Sequence, residues 1–138
     1  MTSLAPATSA ALIHAGLDAE DVAAVIQRGL AEDLGTAGDL TSLATISPEA
    51  RIDARYVSRQ AGVLAGVPVL MAIYDLCADE DAVCKPELRD GDRLAAGTVI
   101  ATVCGNARDV LGIERLSLNL LGHLCGIATA TSAWVSAL

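Results

Sequence analysis

The sequence predicts an α+β fold, an antiparallel sheet sandwich with helices flanking it on one side. Three observations point there: a helical repeat of apolar residues after Asp18, a strict alternation from Arg51 to Ser58, and a long, nearly uncharged apolar stretch that closes the chain. With 138 residues and 53% hydrophobic content the chain can bury one core. Aromatic residues make up only 2%, so Ala, Val, Leu and Ile must fill it.

Residues 1–17 read as a flexible tail. The first basic residue is Arg28, so the opening lacks the cationic region of a secretory or transit peptide. Asp18 is a good N-cap for "AEDVAAVIQRGLAEDL", which sets Val22, Val25, Ile26, Leu30 and Leu34 on one face and ends at Gly35. "TAGDLTSLATISPEA" reads as a structured loop with a helical turn after Asp39. In "RIDARYVS", Ile52, Ala54, Tyr56 and Ser58 alternate with Arg51, Asp53, Arg55 and Val57, the period of a strand with one wet face.

Gly62 and Gly66 bracket a short strand or turn, and Pro68 suits the first turn of a helix carrying Val69, Ile73, Leu76 and Cys77. "AVCKPEL" reads as a strand. It leads into a β-rich stretch with turns at Asp90-Gly91 and Ala96-Gly97. Asn106 caps a helix from about Ala107 to Leu124, and Gly126 is expected to interrupt it before a second helical stretch.

Nine basic against seventeen acidic side chains give a net charge of -8, a field that repels phosphate backbones, so nucleic acid is excluded as a partner. Lys85 is the sole lysine, so an anion site must rest on Arg. Cys77, Cys84, Cys104 and Cys125, with only His14 and His123 beside them, make no zinc spacing and read as buried thiols of a reducing cytoplasm. Glu32, Asp33 and Asp39 stand among glycines that look like helix-stop and turn chemistry, so no metal ligands are assigned.

The closing stretch carries the chemistry. Val110, Leu111, Ile113, Leu116, Leu118, Leu120, Leu121 and Leu124 surround the helix axis, which predicts burial on most sides. Arg115, Asn119 and His123 stand at i, i+4 and i+8 and therefore share one face. A guanidinium buried without a partner costs several kcal/mol, roughly, so this seam must face water, a carboxylate or an incoming anion. Glu114 points about 100° away around the helix and is a poor partner for Arg115. The run after Arg115 is long enough to span a bilayer. Its many hydroxyl and amide side chains, with no basic residue on its far side, argue against a membrane.

The ordered blocks "AEDLGTAGDLTS", "AGVLAGVPV", "DGDRLAAGTVIATVCGNAR" and "ERLSLNLLGHLCGIATAT" resemble the N-terminal half of the quinolinate phosphoribosyltransferase family. The resemblance implies the reaction of quinolinate with phosphoribosyl pyrophosphate, with Mg²⁺, to nicotinate mononucleotide, pyrophosphate and carbon dioxide. It also implies a cytoplasmic homodimer or larger homo-oligomer. It implies domain boundaries as well: an N-terminal α/β sandwich over residues 18–116, and at 117–138 the first helices leading to an α/β barrel.

By the same resemblance Arg115, in "ERLSLN", reaches into a neighbour's barrel and binds a quinolinate carboxylate, with Glu114, Asn119 and His123 as supporting residues. Catalytic and metal-holding residues fall outside this half, so the chain by itself is expected to be silent. Leu116-Ser117 and Cys125 depart from the family pattern. Three other readings remain: a non-catalytic interaction subunit, a homologue associated with molybdenum transport, and a biotinyl or lipoyl carrier. The last requires a lysine at a hairpin tip.

Overall fold

The computed structural model describes residues 3–138. Helix α1 (Pro6–His14) starts the chain, followed by α2 (Ala19–Leu34) and the short α3 (Leu40–Thr45). Strands β1 (Arg51–Val57) and β2 (Gly62–Val63) precede α4 (Val67–Cys77). Strands β3 (Val83–Pro86), β4 (Arg93–Leu94) and β5 (Val99–Asn106) then lead into α5 (Ala107–Ser136).

Local chemistry sets most of these boundaries. Asp18 Oδ1 accepts from the backbone N–H groups of Glu20 and Asp21 at 2.8 and 3.1 Å, satisfying donors that a helix start leaves open. Asp39 does the same for Ser42 N–H at 3.1 Å, and Asn106 for Arg108 N–H at 2.9 Å. Pro68 lies in the first turn of α4, where its missing N–H costs nothing.

The main sheet has the order β1-β5-β3, all antiparallel, while β2 and β4 form a separate pair. Ala54 lies opposite Val103, and Tyr56 opposite Ala101, so the inward side chains of β1 and β5 share one face. Helices α4 and α5 lie on that face, and α1 and α2 pack outside them. The opposite face shows Arg51, Asp53 and Arg55 to solvent, and Arg51 there pairs with Asp81. Leu12, Ile26, Leu64, Leu70 and Ile73 are the most deeply buried large side chains of one continuous core.

Three expectations are corrected. Residues 1–17 are not a tail as far as they are described: α1 begins with Pro6 in its first turn, Leu12 is wholly buried, and Ala5 N–H donates to Asp75 Oδ2 at 2.9 Å. A short helix of small residues carries no amphipathic signature, yet one leucine suffices to dock it.

Second, Gly126 does not interrupt the last helix, because α5 is continuous over that position. Two contacts hold it straight there. Cys125 Sγ lies 3.4 Å from both the N and O atoms of Ala65, and Thr129 Oγ1 accepts from Val63 N–H at 2.9 Å while donating to Cys125 O at 2.7 Å. These clamps to the β2 segment offset the roughly 1 kcal/mol that a helical glycine costs.

Third, α5 is not buried on most sides within this chain. One stripe is covered, including Val110, Ile113, Leu116, Ser117 and Leu121, whereas Leu118, Ile127, Trp134 and Val135 are exposed. By length and composition α5 is apolar enough to cross a membrane, but its first half is packed into the fold.

Candidate functional site

The outward side of α5 carries all four residues singled out from the sequence. Glu114, Arg115, Asn119 and His123 are exposed, and among the described residues no side chain pairs with Arg115. Its neighbours in sequence explain this. Leu116 and Ser117 turn into the core, and at about 100° per residue that leaves Arg115 on the opposite side of the helix.

Leu111, Glu114, Arg115, Leu118 and Asn119 line an open hollow of about 360 Å³. His123 lies one turn further along the same side of α5. The structure therefore brings Arg115, Glu114 and Asn119 to one hollow, with Leu111 and Leu118 beside the guanidinium. An anion entering there would meet a charge that the fold has not already neutralised.

A second hollow of about 370 Å³ begins on the other flank of Arg115, walled by Asp33, Gly38, Asp39, Leu40 and Thr41. The loop between α2 and α3 thus stands beside the arginine, a neighbour that sequence spacing had not revealed. Asp39 is committed to α3: its Oδ1 accepts from Ser42 N–H and its Oδ2 from Ser42 Oγ at 2.5 Å. Those hydrogen bonds hold its carboxyl below the usual carboxylate range. Among the described residues no three His, Cys, Asp or Glu side chains gather to hold a metal ion.

Around α5 toward the sheet, a cleft of about 510 Å³ includes Arg55, Arg59, Tyr56, Tyr74, Glu114 and Leu118. Behind its tyrosines three buried hydroxyls meet. Tyr56 Oη lies 2.6 Å from Ser117 Oγ and 3.0 Å from Tyr74 Oη, and Ser117 Oγ donates to the Glu114 carbonyl at 2.8 Å. Burial pushes both tyrosine hydroxyls above their ordinary range, so both keep their protons at neutral pH. The sequence signal was faint: an inward tyrosine on β1 and a serine in an apolar helix.

Lys85 lies inside β3 and faces Glu87 at 4.0 Å. A carrier domain needs its lysine at a hairpin tip, so that reading loses its attachment point. The four cysteines are free.

Comparison with known proteins identifies the family and the fold. Residues 39–125 match the family model described as quinolinate phosphoribosyl transferase, N-terminal domain. The nicotinate-nucleotide pyrophosphorylase [carboxylating] of Mycobacterium leprae is 40% identical over 113 residues, which is 81% of this chain and 40% of that protein. A chloroplastic protein of the same name from Arabidopsis thaliana is 34% identical over 117 residues, covering 85% of this chain and 33% of the relative. Among solved structures, NadC from Streptococcus pyogenes superposes with a TM-score of 0.81 at 31% identity, covering 88% of this chain and 44% of that one. The chain thus spans less than half the length of each of these relatives.

Proposed function

The chain belongs to the quinolinate phosphoribosyltransferase family, whose N-terminal domain it carries, and from that premise we propose that Arg115 binds a carboxylate of quinolinate in the barrel of a neighbouring subunit. The observation that carries the proposal is an unpaired, exposed guanidinium on a rigid helix, flanked by Leu111, Leu118 and Asn119. Quinolinate has two adjacent carboxylates. An arginine fork grips one of them through two parallel N–H donors and so orients the ring nitrogen toward the ribose of phosphoribosyl pyrophosphate.

Within the reaction that yields nicotinate mononucleotide, pyrophosphate and carbon dioxide, this chain binds and orients. The steps at the ribose and at the departing carboxylate belong to the barrel. The Mg²⁺ that the family resemblance implies finds no fitting set of ligands among the described residues, and no step here runs through it. Asn119, with its amide in the same hollow, supports the bound carboxylate, and Glu114 and His123 line the approach. A homodimer or larger homo-oligomer in the cytoplasm is part of the proposal. The exposed Ile127, Trp134 and Val135 and four unpaired thiols support it.

The test is to mix this chain with a barrel-bearing chain of the family and assay nicotinate mononucleotide formation from quinolinate and phosphoribosyl pyrophosphate. Activity in the mixture that disappears with Arg115→Ala is the expected result. A second reading, a non-catalytic interaction subunit, draws on the exposed apolar end of α5. It predicts a stable complex with the barrel chain whose activity is indifferent to residue 115.

A further inference from the structure

Ser117 sits two residues beyond Arg115 and is wholly buried, so its hydroxyl is the polar group through which the arginine's own turn of α5 touches the core. The proton directions in its network follow from counting. Ser117 has one hydroxyl hydrogen and gives it to the Glu114 carbonyl at 2.8 Å, since a carbonyl only accepts. Tyr56 must then donate to Ser117 across 2.6 Å, and Tyr74 to Tyr56 across 3.0 Å. The chain runs one way, from α4 through β1 to α5. It ends on the peptide group that joins Glu114 to Arg115.

We propose that the Tyr74–Tyr56–Ser117 hydroxyl chain is a positioning device that sets the direction in which Arg115 leaves α5. Apolar packing on this stripe of α5 is non-directional and tolerates small rotations of the helix about its axis. The Tyr56–Ser117 bond across 2.6 Å, its polarity fixed by the Glu114 carbonyl on one side and Tyr74 on the other, does not, because rotation would strand buried hydroxyls without partners. The anchor holds the arginine's turn of α5 from the sheet through Tyr56, which Tyr74 of α4 braces from behind. Serine bonding back to the carbonyl three residues earlier also pulls that carbonyl toward the core. This inference rests on the carboxylate-binding reading of Arg115, whose guanidinium must meet a ligand held by another chain and therefore needs a fixed direction.

Two cuts test it, Ser117→Ala at the end of the chain and Tyr56→Phe in its middle. Ser117→Ala leaves Tyr56 and Tyr74 bonded to each other but takes the acceptor from the buried Tyr56 hydroxyl, so a merely structural role predicts a general loss of stability, with exchange quickened by the same factor at residues 114–119 and 129–133. The positioning role predicts a local effect. Amide hydrogen exchange at residues 114–119 of the 138-residue chain speeds up about fivefold in both variants, while residues 129–133 keep their rates. In the mixed enzyme the KM for quinolinate rises by about the same factor, with kcat and the KM for phosphoribosyl pyrophosphate unchanged.

Unaltered exchange around Arg115 in both variants overturns the inference. If Tyr56→Phe does not fold, Ser117→Ala decides alone. Should Arg115→Ala raise the quinolinate KM while neither hydroxyl variant does, positioning falls and the carboxylate reading stands. Should exchange quicken while Arg115→Ala leaves KM untouched, the carboxylate reading falls and the hydroxyl chain's hold on the turn is supported.

Discussion

Gly66 and Leu124 meet where the start of α4 crosses α5: a Cβ placed on Gly66 would lie 2.7 Å from Leu124 Cδ1. The same glycine has φ of 104°, a left-handed conformation that side chains resist. Gly66→Ala therefore combines backbone strain with a clash in the core. It is expected to cost about 2–3 kcal/mol, read as a lower Tm and an earlier denaturant midpoint. An unchanged Tm would show that α4 can shift away from α5.

Asp90 caps α4 from a turn more than twenty residues away in sequence. Its Oδ2 accepts from Gly66 N–H at 3.0 Å and its Oδ1 from Val67 N–H at 2.9 Å, two donors that the glycine N-cap cannot satisfy itself. Asp90→Ala is expected to lose about 1–2 kcal/mol in chemical denaturation. Asp90→Asn, which keeps one acceptor, should fall between the two.

Leu12 places α1 in the core. Truncating it to alanine leaves a cavity under α1 and is expected to destabilise the chain by about 2–5 kcal/mol, with faster proteolysis near the N-terminus. A frayed tail would make the change silent, so a Tm within about one degree of the parent would contradict the docked helix.

Burial pushes the Cys84 thiol up to about 12 from an ordinary value of 9.0. The unfolded chain loses that proton first. Between pH 9.0 and about 12 the folded state thus holds more protons than the unfolded one, and raising the pH favours unfolding. The contribution is fully present below pH 9.0 and lost as pH climbs toward 12. Cys77, Tyr56 and Tyr74, all raised by burial, act in the same direction. Denaturation midpoints should fall across this window, and more gently in Cys84→Val.

Arg115→Ala should leave the fold untouched, since the side chain is exposed and unpaired. In the mixed enzyme the affinity for quinolinate is expected to drop on the order of tenfold to a hundredfold. Equal affinities would remove Arg115 from the substrate site.

The sequence by itself determined what neighbours within a turn or two can decide. Asp18 and Asn106 announced two helix starts because a capping oxygen serves N–H groups two or three residues on. The alternation from Ile52 to Tyr56 assigned the inner face of β1, and the spacing of Arg115, Asn119 and His123 put them on one side of α5. The family resemblance, too, was carried by short ordered blocks.

Tertiary structure alone decided the rest. The docking of α1 through Leu12, the passage of α5 through Gly126, the Asp90 cap and the Tyr74–Tyr56–Ser117 chain all join residues far apart in sequence. Local propensity cannot foresee such partners. Each contact is worth only about 1–3 kcal/mol, and it forms where the rest of the packing has already met the entropy of bringing its two ends together.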